Sequence, residues 1–93
     1  MSKFYTEKET EDYLENETRV LTLPDGSKES VTTMHLTWVQ FDSMQDTNAF
    51  TNEELIQWTY DWYQREQRYD FTTYFWNLVA FAFSEVKKKR YGQ

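Results

Sequence analysis

The chain has no cysteine, one proline, two glycines and one histidine. Without cysteine there is no disulfide framework, no thiolate nucleophile and no cysteine-ligated zinc. The lone histidine, His35, leaves no basis for a histidine-rich metal site. The shortage of glycine and proline removes the usual breakers, so few loops and mostly regular structure are expected. It also removes the glycine-rich loops that cradle phosphates, since only Gly26 and Gly92 are present. Long apolar runs are missing as well: the longest, Leu78 to Phe83, is far too short to span a bilayer. Met1 to Thr10 is polar and charged, with none of the apolar stretch of a signal peptide. Together these absences lead to the expectation of a soluble cytoplasmic protein with no cofactor, no metal and no membrane partner.

Aromatic side chains are what the sequence does have. They make up 19% of 93 residues, as seven Phe, seven Tyr and four Trp. A chain of this length forms one domain, and so many bulky side chains exceed what one small core easily hides. Either the core is unusually bulky, or part of the aromatic surface is buried against a partner, most simply a second copy. The second reading is preferred. Charge is the other unusual property. The formal net charge is −6, but Lys87, Lys88, Lys89 and Arg90 hold four of the ten cations. Residues 1–86 therefore carry all sixteen acids against six bases, a balance of −10. An acidic body disfavours general nucleic-acid affinity, which phosphate neutralisation mainly supplies. It suits a protein that binds basic partners or imitates DNA, although most acidic proteins imitate nothing.

Along the chain, residues 1–16 read as an acidic arm, with a short helix over Thr6 to Leu14 as one form it could take. Residues 17–93 read as a single domain. Arg19 to Leu23 reads as a strand. Pro24-Asp25-Gly26-Ser27 is a turn, because Pro presets φ, Asp bonds its own backbone and Gly takes positive φ. Lys28 to Thr33 returns as a second strand, completing a hairpin. His35 to Gln45 is ambiguous: Thr37, Trp38, Val39 and Phe41 favour a strand, but Trp38, Phe41 and Met44 at three-residue spacing suit one helix face, and helix is preferred. Thr51 with Glu54 forms a capping box, with Phe50 at the staple position facing Leu55. Leu55, Trp58 and Trp62, flanked by Thr59 and Tyr63, continue that helix to about Arg68. Asp70 can cap a last helix in which Phe71, Tyr74, Phe75, Leu78, Val79, Ala82, Phe83 and Val86 share one face. Lys87 to Arg90 then lie where the negative end of the helix dipole favours cations.

The expected fold is thus α+β and mostly helical, a short N-terminal hairpin or ribbon followed by three helices. This pattern resembles the ribbon-helix-helix domains of the bacterial kind with an additional C-terminal helix. The residues that carry the resemblance are Ser30-Val31 before Trp38, Phe41 and Met44, then Ala49-Phe50-Thr51 and Leu55, then the closing run Phe71 to Phe81. It covers about Lys28 to Phe83. The resemblance implies an intertwined homodimer in which each chain gives one strand to an antiparallel ribbon and the helices share a core. The dimer core would comprise Val31, Trp38, Phe41, Leu55, Trp58, Phe75 and Leu78. It also implies a dimeric DNA-binding transcriptional regulator. Lys28, Ser30 and Thr32 would face the major groove, Val31 and Thr33 would face the core, and the backbone at Thr51 and Asn52 would hold phosphate.

The sequence departs from that pattern in its charges. Family members carry Arg or Lys on the strand face, where this chain has Ser30 and Thr32 with Glu29 nearby, and Glu53 and Glu54 open the second helix. The alternative function is therefore an acidic protein-binding or DNA-mimicking inhibitor on the same scaffold, of a kind that fits phage anti-defence or host takeover. Enzymatic readings are weak and no catalysis is expected. Glu54 and Asp61 could meet on the surface, and His35 could pair with Asp42, but no two acids stand in visibly contrasting environments. Stripes such as Trp58, Trp62 and Tyr63, or Tyr69, Tyr74 and Trp76, could stack bases or fill a partner's pocket, yet at helical spacing core is the better reading. Tyr60 and Trp76, which lie off the stripes, are the residues to follow.

Overall fold

The hairpin begins the described structure. The computed structural model describes residues 13–47 and 49–91, so the arm expected over residues 1–16 lies mostly outside the described residues. Strands β1 (Asn16–Thr22) and β2 (Lys28–Met34) pair antiparallel, with Arg19 opposite Val31 and Thr22 opposite Lys28. Between them Pro24 and Asp25 occupy a tight turn closed by the Gly26 amide on the Leu23 carbonyl (2.9 Å) and the Leu23 amide on the Ser27 carbonyl (2.8 Å). Gly26 sits at φ +89, a backbone conformation that side chains with a Cβ rarely take. Asp25 Oδ1 accepts from both the hydroxyl and the amide of Ser27, and these two bonds hold the carboxyl below its usual pKa.

Strand alternation places Leu21, Val31 and Thr33 inside, together with Leu23 at the turn. Thr18, Val20, Thr22, Lys28, Ser30 and Thr32 point to solvent. β1 starts three residues earlier than its apolar pattern suggests. Its first inward residues are the charged Glu17 and Arg19, which disguise the alternation that identifies a strand.

Helix α1 (His35–Asp46) follows β2 with no intervening residue, so Met34 both ends the strand and caps the helix. Met34 offers no side-chain cap. Instead the His35 amide donates to the Glu15 carbonyl at 2.7 Å, so the chain just before β1 covers the helix start. α1 buries Thr37, Trp38, Phe41 and Met44, and helix is the correct reading of this ambiguous stretch. Helix α2 (Asn52–Glu66) opens with a full capping box. Thr51 Oγ1 accepts from the Glu54 amide at 3.0 Å while Glu54 Oε1 accepts from the Thr51 amide at 2.9 Å. It ends at Gln67, held at φ 50.

Helix α3 (Phe71–Tyr91) is capped by Asp70, whose Oδ1 accepts from the Thr73 amide (2.9 Å) and hydroxyl (2.7 Å). Those bonds lower the Asp70 pKa. The short 67–70 connection is tied down by the buried Tyr74 hydroxyl, which accepts from the Arg68 and Tyr69 amides at 3.0 and 3.3 Å.

The core lies where the inner hairpin face, α1 and α3 meet. Trp38, Phe41 and Phe75 pack as a triangle of rings, with Phe75 5.2 Å from each of the other two and Trp38 5.8 Å from Phe41. Val31, Trp38, Met44, Leu55, Phe75 and Val79 are fully buried within the one chain. No helix of the described residues is long and apolar enough to cross a membrane.

Candidate functional site

Three surfaces qualify for attention, and the first is the outer face of the hairpin. Lys28, Ser30 and Thr32 lie on that face as expected, with Val31 and Thr33 turned inward. Register sets each beside a β1 partner. Lys28 Nζ donates to Thr22 Oγ1 at 2.7 Å, the Thr32 and Thr18 hydroxyls share a bond of 2.7 Å, and Ser30 stands opposite the exposed Val20. The face is neutral apart from Lys28. Within the chain the face belongs to a two-stranded sheet of β1 and β2.

The second surface is the start of α2, expected from sequence to clamp phosphate. Its amides are already engaged. The Thr51 amide donates to Glu54, and the Asn52 amide donates to Gln45 Oε1 at 2.8 Å. Asn52 Oδ1 is shielded and has no hydrogen-bond partner among the described residues. Glu53 and Glu54 set two negative charges in the first turn, where they complement the helix dipole and repel phosphate. The Thr51, Asn52 and Glu54 amides are thus bonded within the chain, which stabilises the helix start.

The third surface runs along the outside of α2 and α3. Trp62 meets Tyr74 at 4.8 Å between ring centroids, and Tyr63 meets Phe71 and Tyr74, so α3 folds back along α2. Continuing that antiparallel pairing by one helical turn along each helix sets Trp58 level with Leu78, with Phe81 three residues further along α3. Trp58 is 40% exposed, Phe81 64% exposed and Leu78 half-buried. Phe50 packs edge-on against Trp58 at 5.3 Å and also against the buried core that contains Leu55. Of the seven residues assigned to a shared core, Val31, Trp38, Phe41, Leu55 and Phe75 are closed off inside one chain, while Trp58 and Leu78 are not. The buried arc of α2 is Leu55 and Thr59, which turns Trp58 outward.

Polar residues at the joint between hairpin and α1 form a closed set. Glu17 bridges Arg19 (2.8 Å) and His35 (2.5 Å), and Arg19 also reaches Asp42 at 3.1 Å. The Arg19 bond, and then the His35 bond, hold the Glu17 carboxyl below its ordinary pKa; the Asp42 bond raises that of Arg19. The guanidinium lies 4.8 Å over the Trp38 ring, whose indole N–H donates to the Glu17 carbonyl at 2.8 Å. His35 thus pairs with Glu17, and Asp42, its partner expected from sequence, takes Arg19. Asp61 accepts from Gln57 and does not meet Glu54. Tyr60 reaches Asp25 at 3.3 Å, and Trp76 is exposed on the opposite flank of α3 from Phe81.

Comparison with family profiles, curated proteins and solved structures finds no match to this chain. Among the described residues no three His, Asp or Glu side chains gather as a metal site would require. Among the described residues, hydrogen bonds from Arg19, Ser27 and Thr73 hold the Glu17, Asp25 and Asp70 carboxyls below their ordinary pKa. A cleft of about 330 Å³ between the hairpin turn and α2 is lined by Thr22, Leu23, Pro24, Glu53, Ile56 and Gln57, and one of about 340 Å³ at the start of β1 by Glu15, Asn16, Glu17 and His35. Phe81 is the residue that sequence reasoning missed, because the closing helix reads as one broad apolar face; its position three residues after Leu78, on the flank away from Val79, was the available signal.

Proposed function

We propose that this chain is a non-enzymatic protein-binding module whose partner presents a basic surface. The observation that carries this reading is the start of α2, where the amides that would hold phosphate are occupied by Glu54 and Gln45 and flanked by Glu53. A body with sixteen acids against six bases over residues 1–86 attracts cationic partners and repels nucleic acid. The α+β scaffold supplies rigid helices on which exposed aromatic anchors can be presented. A role as a protein-directed or DNA-mimicking inhibitor follows the same electrostatics.

A second reading is a homodimeric ribbon-helix-helix regulator that binds DNA. It is favoured by the outer hairpin face, on which Thr18, Val20, Thr22, Lys28, Ser30 and Thr32 include no acid. The experiment that separates the two is a salt titration of binding to pooled duplex DNA and to basic proteins from a cell extract, with mass measured in the same buffers. Basic proteins retained at low salt and released at high salt, with no DNA shift, support the module. DNA binding by a dimer that weakens steeply with salt, and whose salt slope falls in Lys28→Ala, transfers the function to the hairpin.

A further inference from the structure

The outer flank of the α2–α3 pair, from Trp58 through Leu78 to Phe81, is an aromatic exposure that two adjacent elements share. We infer that it is the docking surface for a cationic amphipathic helix belonging to the partner; this rests on the protein-binding reading above. Backbone chemistry selects the type of occupant. A strand would need unpaired amides and carbonyls to add to, and the middle of two helices has none to offer. A groove between two packed helices instead accepts a third helix, whose side chains at i, i+3, i+4 and i+7 seat between theirs. Trp58 and Phe81 are anchors of the kind that dominate such contacts.

Charge selects its sign. Glu54 stands four residues before Trp58 and Asp61 three residues after it, and Glu85 lies four residues beyond Phe81, so each acid neighbours an anchor on its own helix. Glu54 Oε1 is bonded to Thr51, Asp61 Oδ1 to Gln57 and Glu85 Oε2 to Lys88 at 3.4 Å, and each carboxylate has a second oxygen outside these bonds. Arg65 and Lys88 stand at the two ends of the face. The occupant's cations accordingly belong in its middle turns. A second copy of this chain would bring the same three acids, Glu54, Asp61 and Glu85, and adds only Arg65 and Lys88 to meet them, so a more strongly basic helix complements the face better.

The test uses the full chain with a synthetic lysine–leucine amphipathic helix as probe, and a scrambled peptide of the same composition as control. The expected result is binding of the amphipathic probe alone, weakened about tenfold or more by Phe81→Ser and by Asp61→Lys. Val20→Ser, on the hairpin face, should bind as the unaltered chain does. Melting curves of all three variants verify that the fold persists, which the exposure of the three positions favours. Equal binding by Phe81→Ser and Asp61→Lys would overturn the site while leaving the basic-partner reading in place. Failure of the amphipathic probe to bind at all would overturn the inferred occupant, and the salt-released basic proteins would then judge the broader reading separately. A dimer that Phe81→Ser converts to monomer would assign the face to a second copy and also overturn the proposal.

Discussion

The Trp38–Phe41–Phe75 triangle and the Trp58–Leu78–Phe81 flank each draw large apolar side chains from two helices, with one pair three residues apart, yet one is sealed and the other is open. Periodicity alone does not distinguish them, since Trp38 with Phe41 and Leu78 with Phe81 are both three residues apart. Neighbours do. α1 meets the hairpin, α2 and α3 at once, so rings projecting from its inward arc are covered on every side. Trp58 meets Phe50 and stays 40% exposed, while Tyr60, on another side of α2, is the residue that reaches the hairpin turn. A helical stripe states which residues share a face; the number of elements packed on that face decides whether it becomes core.

Substitutions can break this contrast, beginning inside. Trp38→Ala should lose about 3–5 kcal/mol through cavity formation, enough to unfold a marginal domain, and chemical denaturation measures it. Tyr74→Phe keeps the ring but orphans the Arg68 and Tyr69 amides; a loss of about 1–2 kcal/mol is expected by the same method. Asp70→Ala removes the α3 cap and should cost about 1 kcal/mol, seen as a lower Tm. Gln67→Gly relieves a left-handed residue at the end of α2 and should raise stability by about 0.5 kcal/mol. Outside, Phe81→Ser should change stability by no more than about 0.5 kcal/mol. A loss as large as that of Trp38→Ala would show the two aromatic groups to be one core.

Acid sharpens the comparison from another direction, because it acts on the surface carboxylates and leaves the rings alone. Glu17, Asp25 and Asp70 are held below their ordinary pKa values, Glu17 mainly by Arg19, Asp25 by Ser27 and Asp70 by Thr73. A depressed folded pKa means stability that is complete above the unfolded value and lost as pH falls through the folded one. Tm should therefore hold near neutrality and fall below about pH 4, the ordinary range of free carboxylates. A Tm unchanged down to about pH 2 would contradict these pairings.

Much of the fold was legible in the sequence. Pro24-Asp25-Gly26 announced the hairpin, Thr51 with Glu54 announced α2 and Asp70 announced α3, because turns and caps are local chemistry that residues within three or four positions decide. The start of β1 was not legible: Glu17 and Arg19 look like solvent residues, and only their tertiary partners His35 and Asp42 explain why they face inward. The placement of the outer hairpin residues was legible from alternation. The occupied amides at Thr51 and Asn52 were half legible, through Glu54 but not through Gln45, which arrives from α1. What the face of Trp58 and Phe81 does could not be read from spacing, since that depends on which elements pack beside it.

The joint between β2 and α1 has no spare residue, and this constrains how such a chain can vary in length. One residue added beside Met34 would rotate every following α1 side chain by about 100°, swinging Trp38 out of its ring triangle and its indole away from Glu17. The same addition beside Pro24 or Asp25 lengthens an exposed turn, where the entropic penalty is a fraction of about 0.6 kcal/mol. Insertions and deletions tolerated by this fold should therefore collect at the hairpin tip and be purged at the strand–helix joint, making the tip the natural place to graft a tag or a foreign epitope.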